Sequence, residues 1–246
     1  MIHLCNYAHK RYTCSQRHNT QSGMTNGGIS NTFEWGYDHL GNDFKEKNKE
    51  ILAIEKGAGL WVWKPYIIWQ SLKLIGDRDF LFYSDSGIVF LKNLSPLAKI
   101  CAERTSGIMS FHMEKLNNGN LNVEAGQTKR DIFILCHCDN EEVKTGRPKL
   151  ASYSMWRKTQ AALDFLQEWM YHVEDIRCIG EGKSVLGEED PRFITHRHDQ
   201  SVYSTLINKY KFPSFRDCSQ WGNPFMKEDS SEYPQLLNHH RISIKL

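Results

Sequence analysis

The stretch FLFYSDSGIVF, residues 80–90, is an apolar run that is interrupted by the short polar step Asp85-Ser86-Gly87. Its first four residues are too few for a helix and too uniformly apolar for a strand with one face in water. They predict a strand covered on both faces, central in a mixed or parallel sheet. A carboxylate directly after such a strand needs groups that interact with its charge, and other parts of the chain can supply those groups.

Strand and helix patterns alternate along the chain and predict an α/β fold. The segment from Pro65 to Gly76 has apolar residues at helical spacing, and residues 159–173 place an apolar stripe along one side of a helix. A third helix is predicted behind Asp199. No repeat or linker divides the chain, so residues 1–246 are expected to form a single domain. The remaining predictions are strands at 1–8, 106–111, 131–136 and 150–155, a surface helix over 43–55 and a polar loop over 15–31.

Composition and charge exclude several classes of protein. The 246 residues are 40% hydrophobic and 24% charged, which suits a packed core and lacks the bias of a disordered chain. The formal net charge of +2 gives no general field for nucleic acid or an anionic membrane. No run of about 18 apolar residues predicts a transmembrane segment, and the polar residues in MIHLCNYAHK do not fit a secretion signal. We expect a soluble, cytoplasmic protein that binds no nucleic acid.

The 7 cysteines are odd in number and widely scattered, which predicts free thiols. Cys136, His137 and Cys138 stand together and could suggest zinc. Because no second ligand pair follows at zinc-finger spacing, ordinary buried cysteines at the end of a strand are the favoured interpretation.

Asp85 is the first candidate site residue. In open α/β sheets, ligands bind outside the carboxyl ends of the strands, which is where Asp85 is predicted to lie. The small residues Ser86 and Gly87 would let a ligand come close to the backbone. A carboxylate there suits a hard divalent cation that bridges to phosphate oxygens. The alternative is a turn aspartate that closes a strand.

Lys64 lies just before Pro65, at the positive end of a predicted helix. A lysine is unfavourable there unless an anion such as a diphosphate lies between them, and a solvated lysine is the alternative. Nearby, Trp61 and Trp63 alternate as residues of a strand would. One of them could line a base or sugar, although core packing is the commoner role of tryptophan.

Residues 196–200, His-Arg-His-Asp-Gln, are five consecutive polar groups in front of an apolar helix. His196 or His198 could complete a metal shell begun by Asp85, and Asp199 could accept a proton or orient a hydroxyl. The alternative role of Asp199 is to cap the helix.

Three blocks resemble a known family. The segments GAGLWVWKPYIIWQSL (57–72), DFLFYSDSG (79–87) and FITHRHDQSVYSTL (193–206) are similar, in order and spacing, to successive motifs of a glycosyltransferase-like family with the GT-A fold. Similar members include sugar transferases of large algal viruses. The resemblance implies a Rossmann-like, mixed and mostly parallel sheet flanked by helices. A virus-encoded enzyme acting in the host cytoplasm is one expectation.

The resemblance also implies an activity. A sugar would pass from a nucleotide-sugar donor, with UDP as the expected nucleotide, to a glycan or glycoprotein acceptor, assisted by Mn²⁺ or Mg²⁺. Asp85 takes the place of the first carboxylate of the D-x-D signature, whereas Gly87 stands where a second acid is usual. The residues implied to hold the donor are Tyr7, Ala8, Lys64, Ser84, Asp85 and Ser86.

The base that would activate the acceptor hydroxyl is left open between Asp199, the first candidate, and Asp139, the second. Because Gly87 replaces an acid, the main alternative function is a non-catalytic nucleotide- or sugar-binding module derived from a transferase. A nucleotidyl or phosphoryl transferase ranks lower, since the sequence lacks a phosphate loop such as G-x-x-x-x-G-K-[ST].

Overall fold

The computed structural model describes residues 1–113, 122–222 and 233–240. The strands are β1 (Ile2–Tyr7), β2 (Asn31–Trp35), β3 (Phe80–Ser84), β4 (Ile88–Phe90), β5 (Ile108–His112), β6 (Lys149–Arg157), β7 (Ser214–Phe215) and β8 (Leu237–His239). A six-stranded sheet has the order β2-β1-β3-β6-β5-β7, and β4 pairs with β8 in a second, two-stranded sheet. Within the large sheet, β6 is antiparallel to both its neighbours and the other pairs are parallel. The predicted mixed, mostly parallel α/β fold is confirmed.

The helices follow the same alternation along the chain. They are α1 (Thr13–Thr25), α2 (Asn42–Lys47), α3 (Lys49–Leu52), α4 (Gly57–Leu60), α5 (Trp63–Leu74), α6 (Ser95–Ala102), α7 (Glu124–Gln127), α8 (Arg130–Leu135), α9 (Glu141–Lys144), α10 (Gln160–Val173), α11 (Ile176–Ile179) and α12 (Asp199–Lys209), with 3₁₀ turns at Lys10–Tyr12 and Tyr37–His39. In the described part of the chain, no helix is both long and apolar enough to span a membrane.

The apolar part of FLFYSDSGIVF forms β3, a central strand of the sheet. Strand β3 lies between β1 and β6, and Leu81, Phe82 and Tyr83 are fully buried. Because side chains alternate along a strand, Leu81 and Tyr83 enter the core that includes residues of α5, α10 and α12. Phe82 enters the opposite core, with residues of α6, β4 and β8. The prediction of a strand covered on both faces is confirmed.

The polar loop predicted over residues 15–31 is wrong, because most of that segment is helix α1. The side of α1 that meets the sheet is polar and hydrogen-bonded instead of apolar. Gln16 donates to Asn6 of β1, and Asn6 donates to Asn19. Asn19 in turn donates to the hydroxyl of Ser84, which ends β3. A helix that packs through amides shows no apolar periodicity, so its sequence looked like a loop.

Two further predictions are corrected. Residues 131–136 were expected to form a strand, but Arg130–Leu135 is helix α8, since a short apolar run does not distinguish the two by its pattern. The predicted surface helix over 43–55 is two shorter helices, α2 and α3.

The other predicted elements are confirmed. The strands at the N-terminus and near residues 106–111 and 150–155 are β1, β5 and β6, and the helices from Pro65, over 159–173 and behind Asp199 are α5, α10 and α12. The helix predicted from Pro65 begins two residues earlier, at Trp63. All 7 cysteines are free, as expected.

Candidate active site

Two adjacent clefts open at the carboxyl ends of β1 and β3. The first, about 470 Å³, is lined by Tyr7, His9, Arg11, Tyr12, Glu55, Lys56, Gly57, Ala58, Trp61, Trp63, Asp85, Ser86 and Gly87. The second, about 430 Å³, is lined by Lys56, Trp61, Lys64, Asp85, Leu150, Ser152, Thr195, His196, Arg197, His198, Asp199, Gln200 and His239. Lys56, Trp61 and Asp85 line both clefts. A ligand in one cleft therefore borders a ligand in the other.

A buried lysine joins two carboxylates beside this junction. The Nζ of Lys64 lies 2.8 Å from Oδ2 of Asp199 and 3.6 Å from Oδ1 of Asp85, and it donates a hydrogen bond of 3.1 Å to the carbonyl of Ala151. Burial alone would lower the pKa of Lys64, but the two carboxylates outweigh that effect and raise it. Lys64 is therefore a fixed positive charge. The sequence predicts an anion beside this lysine. In the structure, the carboxylates of Asp85 and Asp199 take that place.

Asp199 is the first residue of α12 and has a side chain that is 4% exposed. His198 occupies the N-cap position, so the capping role considered for Asp199 is wrong. Burial raises the pKa of Asp199 to about 6, with the charge of Lys64 acting in the opposite direction. A carboxylate with a pKa so close to neutrality is suited to accept and return a proton.

Asp85 is held in place by a backbone group of the neighbouring strand β6 and by a side chain of β3 itself. Its N–H donates to the carbonyl of Ser152 at 2.7 Å, and the hydroxyl of Tyr83 donates to its Oδ1 at 2.6 Å. The side chain of Asp85 is 31% exposed, whereas those of Lys64 and Asp199 are 3% and 4% exposed. Tyr83 was not predicted as a site residue, because an aromatic residue inside a buried strand looks like core.

The first cleft has an aromatic floor. The ring of Tyr7 stacks on Trp63 with centroids 3.8 Å apart, and Ser86 donates to the carbonyl of Tyr7 at 2.6 Å. The Tyr7 hydroxyl is buried and has no hydrogen-bond partner among the described residues. Burial, with smaller effects of Tyr37 and Asp38, raises its pKa to about 12, so it remains a neutral donor.

Two cations stand at the rim of this cleft. Arg11 pairs with Glu55, and Lys56 pairs with Glu181 at 2.5 Å, with all four side chains at least half exposed. Exposed pairs contribute little stability, so an incoming anion can replace the glutamates at low cost. Neither cation is among the site residues predicted from the sequence. The signal that could have found Arg11 is the basic group HKR directly after the first strand.

Between the clefts, residues 57–61 form a left-handed turn. The φ angles of Gly57, Ala58, Gly59, Leu60 and Trp61 are 61°, 50°, 97°, 51° and 61°. The left-handed conformation costs roughly 1–2 kcal/mol for each residue that is not glycine. Strain of this kind persists where surrounding contacts over-determine it, often at functional sites. The strand-like alternation predicted for the two tryptophans is therefore wrong, because the glycines turn the chain before α5.

The two histidines of the predicted metal shell line the second cleft together with Asp85. The Nδ1 of His198 donates to the carbonyl of Ile179 at 2.8 Å, which leaves Nε2 with the lone pair of a possible ligand. Burial lowers the pKa of His198, and it lowers that of His196 to about 3. Within the described ranges, no group of three or more His, Cys, Asp or Glu side chains is arranged to hold a metal ion. Cys136 and Cys138 therefore do not belong to such a group either. Asp85 fits a cation as a single donor, and the protein residues described do not complete a shell.

Three predicted site residues lie outside the lining of both clefts. Ala8 is buried and donates its N–H to Trp35, and the hydroxyl of Ser84 is turned toward Asn19 of α1. Asp139 pairs with Arg130 at 3.1 Å and with Lys144 at 2.5 Å. These cations outweigh the effect of partial burial and lower the pKa of Asp139, which makes it a weak base.

Comparison with solved structures identifies the architecture. The crystal structure of mouse xyloside xylosyltransferase 1, in its apo form, aligns with 100% of this chain and 98% of its own, with a TM-score of 0.51 and 9% sequence identity. The fold is a GT-A glycosyltransferase fold. At this identity the likeness establishes the fold alone.

Two other solved structures align with a lower TM-score. A glycosyltransferase involved in the glycosylation of the major capsid of PBCV-1 covers 98% of this chain and 94% of its own at 12% identity, and an active-site mutant of LgtC covers 97% and 87% at 12% identity. Each has a TM-score of 0.49. No family model and no curated protein matches the chain by sequence.

Proposed function

We propose that this protein is a glycosyltransferase that moves a sugar from a nucleotide-sugar donor, with UDP as the nucleotide, to a hydroxyl of a glycan or glycoprotein. The observation that carries the proposal is the pair of joined clefts with a buried Lys64 between two carboxylates at their border. One cleft suits an anionic donor, and the other contains a carboxylate able to act as a base. The GT-A fold supports this assignment.

The nucleotide would occupy the first cleft. Tyr7 and Trp63 offer an aromatic surface, and the unpaired Tyr7 hydroxyl offers a donor to a base or ribose oxygen. Arg11 and Lys56 would exchange their glutamate partners for diphosphate oxygens, which make stronger, charge-assisted hydrogen bonds. We assign the diphosphate to these two cations in preference to Lys64, whose ammonium group already has two carboxylate partners.

During transfer, positive charge develops on the sugar ring while negative charge builds on the leaving diphosphate. Lys56 lines both clefts and is therefore placed to oppose the charge on the leaving group. Asp199 would take the proton of the acceptor hydroxyl in the second cleft. Lys64 would fix the orientation of Asp199 and keep it ionised above its pKa of about 6.

The divalent cation stays a prediction. Asp85 offers it one carboxylate, and His196 and His198 line the same cleft, but no step of the proposed chemistry passes through a metal. A cation held by Asp85 would add positive charge near the leaving diphosphate. Assays with manganese, with magnesium and with a chelator test this component separately.

The proposal is tested by release of nucleotide from a panel of UDP- and GDP-sugars, with and without manganese, using wild type, Asp199→Asn and the surface control Asp164→Asn. We expect one UDP-sugar to be consumed by wild type and by the control, and consumption to depend on Asp199 when an acceptor is present. Nucleotide binding without turnover of any donor would favour the alternative, a binding module that has lost catalysis. That alternative draws on Gly87, which stands where a second acid is usual.

A further inference from the structure

Among the described residues, Trp61 is the one aromatic side chain that lines both clefts. It is half-buried, and its ring lies 5.6 Å from the ring of His198. Its backbone is in the left-handed region, with φ 61° and ψ 20°. A conformation that is unfavourable for a large side chain is thus maintained where the two predicted substrates meet.

The surroundings of Trp61 fix the position of its indole ring. A Cβ atom added to Gly57 would lie 2.5 Å from two atoms of that ring, so the ring rests directly on the Gly57 backbone. The N–H of Trp61 bonds to the Gly57 carbonyl at 3.3 Å, and Trp63 donates its indole N–H to the same carbonyl at 3.0 Å. The left-handed turn therefore holds a flat apolar surface in a defined orientation, at no conformational cost when a ligand arrives.

The chemistry of the second cleft indicates what would bind on that surface. Polar side chains dominate its lining, and Leu150 is the aliphatic residue among those that the described structure places there. A lipid chain would need a continuous apolar lining, which these residues do not provide. A sugar has an apolar ring face surrounded by hydroxyl groups. It therefore matches the indole ring of Trp61, which has polar side chains such as Thr195, Arg197 and Gln200 in the same cleft.

We infer that Trp61 is a specificity-determining residue that seats the terminal sugar ring of a saccharide acceptor, so that one of its hydroxyls faces Asp199. This inference rests on the proposed function and narrows it, because it selects a saccharide over a peptide or lipid hydroxyl as the acceptor. The acceptor stacks on Trp61 in the second cleft while the donor sugar reaches the same residue from the first.

The test is a binding measurement that does not require turnover. Saturation-transfer NMR is recorded for a panel of methyl glycosides and short oligosaccharides, a serine- and threonine-containing peptide and a long-chain alcohol, each with saturating UDP. The variants are Trp61→Ala, Trp61→Phe and, as a matched control, the exposed Trp221→Ala, which lines neither cleft. Replacing Trp61 adds no backbone strain, since the position already carries a side chain with positive φ.

We expect a saccharide to bind wild type through its ring C–H protons, Trp61→Ala to weaken that affinity by about tenfold or more, and Trp61→Phe to restore most of it. Trp221→Ala should bind as wild type does. Saccharide affinity unchanged in Trp61→Ala, no saccharide binding to wild type, or binding of the peptide or alcohol alone would each overturn the inference. Failure of the proposed function is seen separately, as donor sugars that are neither bound nor consumed.

Discussion

The two clefts handle charge in opposite ways. In the first, Arg11 and, at the border with the second, Lys56 are exposed and paired with exposed glutamates, so their partners can be exchanged. In the second, Lys64 and Asp199 are 3% and 4% exposed and are paired with each other at 2.8 Å. Exposed pairs add little to stability, whereas breaking a buried pair leaves an uncompensated charge. The difference suggests that the first cleft exchanges an anionic ligand and the second keeps a preset arrangement of charges.

The largest expected effect comes from removing the buried cation. Lys64→Met leaves Asp199 and Asp85 without their shared partner, and it should lower the free energy of unfolding by about 3–5 kcal/mol. Lys56→Met, which removes an exposed lysine at the border of the two clefts, should change the free energy of unfolding by less than about 1 kcal/mol. Urea denaturation of both variants measures the contrast. Equal losses of unfolding free energy in the two variants would mean that the buried and the exposed lysine contribute equally to stability, contrary to this comparison.

The second effect is on the reaction. Asp199→Asn keeps the size of the side chain but cannot accept a proton, and transfer to the acceptor should fall by about 100- to 10,000-fold. Binding of UDP should stay close to wild type, because Asp199 lines the second cleft and not the first. Steady-state rates and calorimetric affinities provide the two readouts. Transfer at the wild-type rate would remove Asp199 from the mechanism.

The pH dependence of sugar transfer by the wild-type protein also tests the role of Asp199 as the base. Burial raises the pKa of the Asp199 carboxyl to about 6, and the ionised form is the one that can accept a proton. Transfer should therefore rise as the pH increases through about 6 and be lost on acidification below it. A profile of kcat/KM between pH 4.5 and 8 shows this limb. A flat profile across that range would contradict the role of Asp199 as the base.

The smallest expected effect is in the first cleft. Tyr7→Phe removes a buried hydroxyl that has no partner among the described residues, so the folded protein should lose little stability. If that hydroxyl donates to the nucleotide, the affinity for UDP should fall by about fivefold. Calorimetry on the variant measures the change. An unchanged affinity would place the nucleotide away from the Tyr7 hydroxyl.

How far the sequence predicts the fold depends on what a helix packs with. Helix α10 meets the core through apolar residues at helical spacing, and the helix predicted over 159–173 matches it to within one residue. Helix α1 meets the sheet through the buried amides of Gln16 and Asn19, which leave no hydrophobic pattern, and it was predicted as a loop. Turns with positive φ are equally hidden, as residues 57–61 show.

The site was predictable where its groups follow directly from elements of the fold. Asp85 follows the central strand and Asp199 begins a helix, so both could be proposed from the sequence. Their connection through Lys64 depends on the folded arrangement, and so does the separation of Asp139 from the clefts. His239 lies near the end of the chain and enters the second cleft through the pairing of β8 with β4. No local pattern could have indicated that contact.

Calorimetric titration of UDP into wild-type protein and Asp85→Ala, with and without manganese and with GDP as the comparison, measures directly whether the protein binds the proposed nucleotide. We expect saturable binding of UDP to wild type, stronger with manganese, and loss of the manganese effect in Asp85→Ala. If neither nucleotide binds in any condition, the protein does not use a nucleotide-sugar donor, and the GT-A fold describes its architecture without its activity.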